Sequence, residues 1–253
     1  MSYQWIAGRN YPMWRCTKKT CRKAVGYLQG TWFEGTHLSL KDVFQLSYYF
    51  ARQTHTYEEI YFDMQRDDGS QPSPNSISDW MEFYRQICGA YFATHPTKLG
   101  GPGMVVEIDE TVITKRKYNR GALRAEEQWV FGIVDRGTGR CALWPVERRD
   151  AATLLQLIQN FVLPNTTILS DMWASYNRID QLPELYSHFT VNHSENFVDP
   201  ATGTHTQTIE GTWSHFKRAH RERAGTARTL FLDYVTEFCW RRRFKGPDIL
   251  YHL

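Results

Sequence analysis

One part of the chain, residues 98 to 193, restricts the possible folds more than any other. A glycine-rich joint, KLGGPG, precedes three strand-like runs, MVVEIDETVI, QWVFGIVDR and CALWPVE, and the turn RGTG joins the last two. The run DAATLLQLIQNFV then repeats apolar residues at helical spacing, and TTILSD and SHFTVNH read as two more strands. Two helical stretches follow, TQTIEGTWSHFKRAHRE and TLFLDYVTEFCWRRRF. This order predicts an α/β domain at 104–253, with a mixed five-stranded sheet flanked by helices.

The chain before the joint divides into two parts. Residues 38–97 contain three helix-like stretches, LSLKDVFQLSYYFARQ, TYEEIYFDMQ and NSISDWMEFYRQICGAYF, with a tight break between the first two. This pattern predicts a small helical, helix-turn-helix-like DNA-binding module, although any small helical bundle would show the same pattern. Residues 1–37 form a separate basic and aromatic segment.

The composition, with 42% hydrophobic and 23% charged residues, is that of a globular protein and argues against a disordered or fibrous chain. No apolar run reaches the roughly 18–20 residues that span a bilayer, and the first residues lack the apolar core of a signal peptide. We therefore expect a soluble intracellular protein with no membrane partner. Its five scattered cysteines predict reduced thiols.

Positive charge is concentrated at the two ends of the chain. Residues 1–33 hold six basic residues and no acidic one, and residues 215–253 hold nine basic residues and four acidic ones. The centre is correspondingly acidic, although the net charge is only +3. This distribution suits a protein that contacts phosphates with its ends and holds cations in its middle, but charge alone favours solvated surfaces equally.

Three acidic residues of the α/β domain stand where chemistry is often built. Asp109 lies in the first strand, and Asp171 ends the strand TTILSD, at the edge where open α/β sheets place ligands. Glu210 lies on a helix beside the apolar stripe formed by Ile209, Trp213, Phe216 and His220, and Lys217 shares its side of the helix. The predicted position of Glu210 is therefore half enclosed, at the border of the buried face.

Three carboxylates brought together would repel one another unless cations lay among them. Hard oxygen ligands of this kind suit Mg²⁺ or Mn²⁺, and two such ions can activate a water or a 3′-hydroxyl and stabilise the leaving oxygen of a phosphodiester. Each acid by itself is more often a turn, cap or solvated residue. The combination of two strand-borne aspartates with one helix-borne glutamate is what favours a metal site.

These segments also resemble a known family. The runs EIDETVITKRKYNRG, WVFGIVDRGTGRCALWPVERRDAATL, TTILSDMWASY and HFTVNHSENFVDPATGTHTQTIEGTWSHFK are similar to the Merlin superfamily of DNA transposases and to the related bacterial insertion-sequence transposases with an ISXO2-like domain. The resemblance covers residues from about 30 to 245. It implies an RNase H-like catalytic domain with a DDE triad and two Mg²⁺ or Mn²⁺ ions.

The resemblance implies a role for individual positions. The catalytic and metal-binding residues would be Asp109, Asp171 and Glu210. Contacts to DNA would come from Lys217, which closes the family motif, and further expected DNA-binding residues are Lys115, Lys117, Arg241, Arg242 and Arg243. His193 and His205 also stand in matching segments and are secondary candidates without an assigned role, since single histidines are more often core or loop residues.

One departure from the family concerns zinc. Relatives often begin with a zinc ribbon of two cysteine pairs, whereas this sequence has only Cys16 and Cys21, with four residues between them. Structural zinc needs four ligands, so we expect no zinc and interpret residues 1–37 as a remnant of such a region.

The expected function is cut-and-paste transposition. The protein would cut DNA at the terminal inverted repeats of a transposon, and a 3′-hydroxyl would then attack target DNA. Because two ends must be joined at once, a homodimer or higher oligomer is expected. The resemblance favours the nucleus of a eukaryote, and otherwise the cytoplasm. Two alternatives stay open: a domesticated transposase-derived DNA-binding protein that does not cut, and, less favoured, a glycosidase with two carboxylates.

Overall fold

The computed structural model of the chain describes residues 1–5, 11–113, 127–191, 205–223 and 227–253. They form two compact units, residues 1–84 together with Leu253, and residues 85–252. The division falls inside one uninterrupted helix, between Tyr84 and Arg85, and not at the glycine-rich joint. The three predicted domain limits therefore stay predictions.

The first unit begins with a small antiparallel sheet that the sequence analysis did not predict. Its strands are β1 (Ser2–Gln4), β2 (Met13–Arg15) and β3 (Ala24–Gly26), in that order across the sheet. Each strand has three residues, which is too short for an alternating pattern to be detected in the sequence. The segment interpreted as a zinc-ribbon remnant therefore contains ordered β-structure.

Helices make up the rest of the first unit, at the three places where the sequence predicts them. They are α1 (Leu40–Arg52), α2 (Tyr57–Asp63) and α3 (Pro74–Thr94), of which α3 continues into the second unit. Ser39 and Thr56 cap α1 and α2, and each cap is reciprocated by an acidic side chain three residues later, Asp42 and Glu59 respectively. These capping boxes explain why the short helices begin where they do.

The second unit contains the five-stranded mixed sheet and its flanking helices. In chain order its elements are β4 (Val105–Val112), β5 (Trp129–Asp135), β6 (Cys141–Val146), α4 (Ala151–Phe161), β7 (Thr167–Asp171), β8 (Ser187–Val191), α5 (Gln207–Glu222) and α6 (Phe231–Arg243). The strand order is β6-β5-β4-β7-β8, with antiparallel pairing among the first three and parallel pairing of β7 with β4 and β8. This is the RNase H-like arrangement, and the predicted fold class is confirmed.

Each face of the sheet has its own apolar core. Buried residues of α4 such as Leu154 and Ile158 pack with Val106 and Ile108 of β4 on one face. On the other face, residues of α5 and α6, among them Ile209, Phe216 and Val235, pack with Val130 and Val134 of β5. Because side chains alternate along a strand, Glu107 and Asp109 point to the face covered by α5.

The glycine-rich joint enters the sheet through a turn that requires glycine. Gly100 has a φ of +80°, and a Cβ atom there would lie 2.5 Å from Thr166 Cγ2. The neighbouring Gly101 amide donates a hydrogen bond to Thr166 Oγ1 at 2.8 Å. The joint therefore packs directly against the segment that leads into β7.

Among the described residues, the helices are too short or too polar to cross a membrane.

Candidate active site

Two of the three predicted catalytic residues lie side by side on neighbouring parallel strands. Glu107 of β4 is in register with Leu169 of β7, so the same register two residues on places Asp109 beside Asp171. Neighbouring strands are about 4.8 Å apart, and residues in register share one face of the sheet. Both aspartates are half-buried; Asp109 lies in the middle of β4, and Asp171 is the last residue of β7.

The carboxylate of Asp109 is held by a side chain of the helix that covers it. The indole Nε1 of Trp213 on α5 donates a hydrogen bond of 2.9 Å to Asp109 Oδ2. Room for the indole comes from Gly132 of β5, which is the residue paired with Asp109 across the strands. A Cβ atom at Gly132 would lie 2.5 Å from Trp213 Cη2 and 2.8 Å from Leu143 Cδ2. Gly132 and Trp213 together fix the orientation of Asp109.

This arrangement makes a prediction about Gly132. Replacing it by Ala should destabilise the protein by about 1–3 kcal/mol, because the added methyl group overpacks a site already in contact with an indole ring. Gly211 on α5 is the matched control, since a Cβ there would meet nothing within 4 Å. Gly211→Ala should stabilise the protein by up to about 1 kcal/mol through helix propensity. Urea denaturation measures both changes, and equal stabilities of the two variants would contradict the packing argument.

Glu210 comes from α5 and differs from the prediction in one respect. Its side chain is exposed and not half enclosed, and Oε1 accepts a hydrogen bond of 3.2 Å from the hydroxyl of Thr206, one turn earlier. The helix nevertheless brings its charge close to the sheet edge. Burial raises the pKa of Asp109 to about 6, the hydrogen bond from Trp213 opposes this rise, and the carboxylates of Asp171 and Glu210 add to it. The three carboxylates therefore share one electrostatic environment.

The carboxylate oxygens of Asp109, Asp171 and Glu210 are ligands that suit a hard divalent cation, although the three side chains do not form a closed metal site. Within the described ranges no three His, Cys, Asp or Glu side chains form a group that could hold a metal ion. Like charges brought together repel one another, so a cation is needed to hold three carboxylates at short distance. Asp109 and Asp171 stand in register, and rotation of the exposed Glu210 side chain away from Thr206 would add a third carboxylate. Three carboxylates are donors that Mg²⁺ or Mn²⁺ accepts.

A buried ion pair fixes α5 against the sheet. The carboxylate of Glu107 is fully buried in β4. It accepts a hydrogen bond from Arg136 Nε at 2.6 Å and another from the backbone amide of Ile209 at 2.8 Å. Ile209 lies in the first turn of α5, where amides have no partner within the helix. Glu107 therefore caps α5 from the neighbouring strand, and the favourable dipole interaction at a helix N-terminus adds to the contact. This contact sets where Glu210 and Trp213 project.

His205, a secondary candidate, belongs to this anchor and not to the carboxylate set. Its backbone carbonyl accepts a hydrogen bond from Arg136 Nη2 at 2.5 Å, and its Nδ1 lies 3.9 Å from Glu107 Oε1. His205 therefore helps to hold the segment just before α5 in place. His193, Lys115 and Lys117 lie outside the described residues, so their predicted roles stay predictions.

A fourth carboxylate lies next to the candidate site on the opposite face of β4. Glu110 accepts a hydrogen bond of 2.5 Å from the hydroxyl of Tyr176, which is fully buried. Burial raises the pKa of Glu110 to about 7; the Tyr176 hydrogen bond opposes the rise, and Asp109 and Asp171 add to it. The sequence places Glu110 beside Asp109, but only the tertiary structure shows that it is enclosed.

These raised pKa values predict how the stability of the metal-free protein depends on pH. An acid whose folded-state pKa is raised stabilises the fold at low pH, and that contribution is lost as the pH rises through the folded value. Stability in EDTA should therefore fall as the pH rises from about 4 to about 7, by no more than about 3 kcal/mol from Asp109. Thermal denaturation across this range measures the slope. Asp109→Asn should flatten it, and an unchanged slope would contradict the assignment.

The predicted DNA-binding residues within the described ranges lie on α5 and near the end of α6. Lys217 is half-buried on α5, seven residues after Glu210. The three arginines near the end of α6 contact their own unit: Arg241 pairs with Glu237 at 2.8 Å, Arg242 donates to the Gly139 carbonyl, and Arg243 donates to Thr97. Their first role is therefore packing of α6, which the sequence alone did not indicate, and their binding to DNA stays a prediction.

Sequence reasoning missed several residues that shape the site. Trp213 was assigned to the apolar stripe, but its indole N–H also reaches Asp109. Arg149 was not singled out; its guanidinium lies 3.6 Å from the centre of the Trp129 ring and 5.2 Å from that of Trp173. The alternating pattern of β4 places Glu107 on the same face as Asp109, which is the one signal that could have indicated its importance.

Comparisons with known proteins agree with the arrangement of the second unit. The family model of the ISXO2-like transposase domain matches residues 78–243, which is well over half of the chain. A curated relative, an uncharacterized transposase-like protein of Haemophilus influenzae (strain ATCC 51907 / DSM 11121 / KW20 / Rd), is 32% identical over 99 residues. That match covers 39% of this chain and 76% of the relative.

Among solved structures, the chain is similar to two retroviral integrase catalytic core domains. The HTLV-2 domain, in complex with magnesium, has 13% identity and a TM-score of 0.38, covering 55% of this chain and 86% of that one. The BIV domain has 16% identity and a TM-score of 0.39, covering 56% and 86%. TM-scores this low add nothing to the topology described above. By its match to the family model, the chain belongs to the family of the ISXO2-like transposase domain.

Proposed function

We propose that the protein is a cut-and-paste DNA transposase of the Merlin superfamily, which cuts phosphodiester bonds at transposon ends and joins a 3′-hydroxyl to target DNA. The observation that carries this proposal is that Asp109 and Asp171 lie on the paired strands β4 and β7, and that the carboxylates of Asp171 and Glu210 both raise the pKa of Asp109. Membership of a transposase domain family supports it. The Merlin assignment has its support in the segments around these three residues.

In this proposal each residue of the site has a separate task. Asp109 keeps Oδ2 on the Trp213 indole and presents Oδ1, Asp171 presents a carboxylate from the next strand, and Glu210 turns towards them from α5. Two Mg²⁺ or Mn²⁺ ions, when bound, would supply the positive charge that activates the attacking oxygen and stabilises the leaving one. Lys217, two turns along α5 from Glu210, would contact a phosphate beside the cut.

Glu107 and Arg136 act indirectly by holding the first turn of α5 against β4. Without this anchor Glu210 and Trp213 would move together, and the carboxylates would lose their common position. The predicted partners are double-stranded DNA, both terminal inverted repeats and target, and further copies of this chain in a synaptic complex. The proposal includes a DNA-binding role for α1 to α3 as a helix-turn-helix-like module, since such a module is needed to select the transposon ends.

The proposal is tested with supercoiled plasmid that carries the inverted repeats flanking the coding sequence. Incubation with protein and Mn²⁺ should produce nicked and linear plasmid, and omission of metal or Asp171→Ala should prevent it. A plasmid without the repeats is the matched DNA control and should be cut much less. Binding of the plasmid without nicking, identical for wild type and Asp171→Ala, would contradict the enzyme and favour a domesticated DNA-binding protein.

A further inference from the structure

The small N-terminal sheet presents a face of three aromatic rings to solvent. Tyr3 and Trp14 are paired across β1 and β2, and Trp14 is paired with Val25 of β3, so these three residues share one face. Tyr27 follows Val25 by two residues and lies on the same side. The ring centroids of Tyr3, Trp14 and Tyr27 are 5.5 to 6.4 Å apart, and the residues remain 51%, 38% and 41% exposed.

Basic residues are concentrated at one end of this small sheet. The hairpin turn between β2 and β3 is held by the amide of Cys16 donating to the Lys23 carbonyl and that of Cys21 donating to the Lys18 carbonyl. Five exposed basic residues lie on or beside this turn: Arg15, Lys18, Lys19, Arg22 and Lys23. No acidic residue occurs in residues 1–33. The strands and turns of the small sheet therefore carry charge of one sign, which complements a polyanion.

Rings and cations together favour one kind of ligand. A flat aromatic side chain at a solvent-exposed sheet face can stack on a nucleobase, and the stacking requires that the face of the base is free. The bases of a duplex are stacked on one another, so a duplex would engage only the lysines and arginines. Three adjacent rings beside five cations therefore match a strand whose bases are unpaired and whose phosphates lie against the turn.

We infer that the aromatic face of Tyr3, Trp14 and Tyr27 is a binding site for single-stranded DNA. The choice of DNA over RNA rests on the proposed function, because an enzyme that cuts transposon ends meets unpaired DNA flanks. The stacking surface itself does not depend on the carboxylate site. It assigns a further DNA contact to the protein, distinct from the phosphate contact proposed for Lys217 and from the helical module.

The test measures binding by fluorescence anisotropy, with the full chain in EDTA so that cleavage plays no part. The probes are a labelled oligothymidylate of about a dozen nucleotides, an oligouridylate of the same length and a duplex of the same length. Trp14→Ile keeps apolar bulk and strand propensity but has no flat ring. It should weaken oligothymidylate binding about tenfold, the loss expected for one stacked base, and change duplex binding less than about twofold.

Two further variants separate stacking from charge. Tyr251→Ile removes an exposed aromatic side chain that lies outside the small sheet and outside α1 to α3, and it should leave all three affinities unchanged. The double substitution of Lys18 and Lys19 by Ala should weaken binding of single strand and duplex alike and reduce the salt dependence of both. If Trp14→Ile binds oligothymidylate as well as wild type does, or if Tyr251→Ile weakens binding equally, the site is not where we place it.

A second measurement uses the unaltered protein, because Trp14→Ile would also lose binding if the small sheet no longer formed. Photocrosslinking of a 5-iodouracil-containing DNA strand, followed by peptide mass spectrometry, should label Tyr3, Trp14 or Tyr27. Labelling confined to other peptides, or tighter binding of oligouridylate than of oligothymidylate, would overturn the inference. Because all arms are run in EDTA, these outcomes leave the cleavage proposal untouched, and a failure of cleavage leaves this inference untouched.

Discussion

Asp109→Asn is expected to abolish metal-dependent DNA cleavage, by about a thousandfold or more, while DNA binding is kept. Asn has the size and shape of Asp but lacks the negative charge that a cation needs at this position. Loss of one charge near the phosphate should leave DNA affinity unchanged or make it up to about tenfold tighter. Parallel measurements of nicking and of anisotropy with labelled DNA check the two effects.

The substitution should not unfold the protein. The Asn side-chain oxygen can accept the hydrogen bond that Asp109 receives from Trp213 at 2.9 Å, and removing a partly buried charge relieves repulsion from Asp171 and Glu210. Above about pH 7 the metal-free variant should be at least as stable as wild type. Loss of binding in parallel with loss of cleavage, in a variant shown to be folded, would count against the role assigned to Asp109.

Glu107→Ala is expected to have the largest effect on stability, a loss of about 3–5 kcal/mol of unfolding free energy. The fully buried carboxylate accepts hydrogen bonds from Arg136 and Ile209, and its removal leaves the Arg136 guanidinium and the Ile209 amide without that acceptor. A marginally stable domain would lose much of its total stability in this way. Urea denaturation measures the change, and thermal denaturation with Mn²⁺ present shows whether the site is lost as well.

Two controls separate the ion pair from the general effect of a Glu to Ala change. Glu147→Ala, at an exposed position just after β6, should change stability by less than about 0.5 kcal/mol. Glu107→Gln retains an acceptor for the Ile209 amide but loses the charge opposite Arg136, so its loss should be intermediate. If Glu107→Ala were no more destabilising than Glu147→Ala, the conclusion that Glu107 of β4 anchors α5 would be wrong.

The elements of the second unit were predictable because their patterns are long. Strands β4 and β5 are seven or more residues of apolar or alternating sequence, and α4 and α5 carry apolar residues at helical spacing over three turns or more. The carboxylates could be located for the same reason, since Asp171 ends a strand and Glu210 borders an apolar stripe. The mixed character of the sheet followed from the hairpin order of the first three strands and from the helix between β6 and β7.

Other features depend on contacts between distant segments and could not be seen in the sequence. The hydrogen bond between Trp213 and Asp109 joins residues 104 positions apart, and the cap on α5 comes from Glu107, 102 positions before Ile209. The three-residue strands of the first unit are too short to give a pattern. The exposure of Glu210 depends on how far α5 leans over the sheet edge, which helical periodicity does not determine.

The central claim, that Asp109, Asp171 and Glu210 bind divalent cations together, is tested most directly by titrating the protein with Mn²⁺ and counting the free ion by electron paramagnetic resonance. This measurement requires no knowledge of the DNA recognised. We expect saturable binding in wild type and at least about tenfold weaker binding in Asp109→Asn, Asp171→Asn and Glu210→Gln. Glu222→Gln, at the far end of the same helix, should bind as wild type does. Equal Mn²⁺ affinity in wild type and all three site variants would contradict the account.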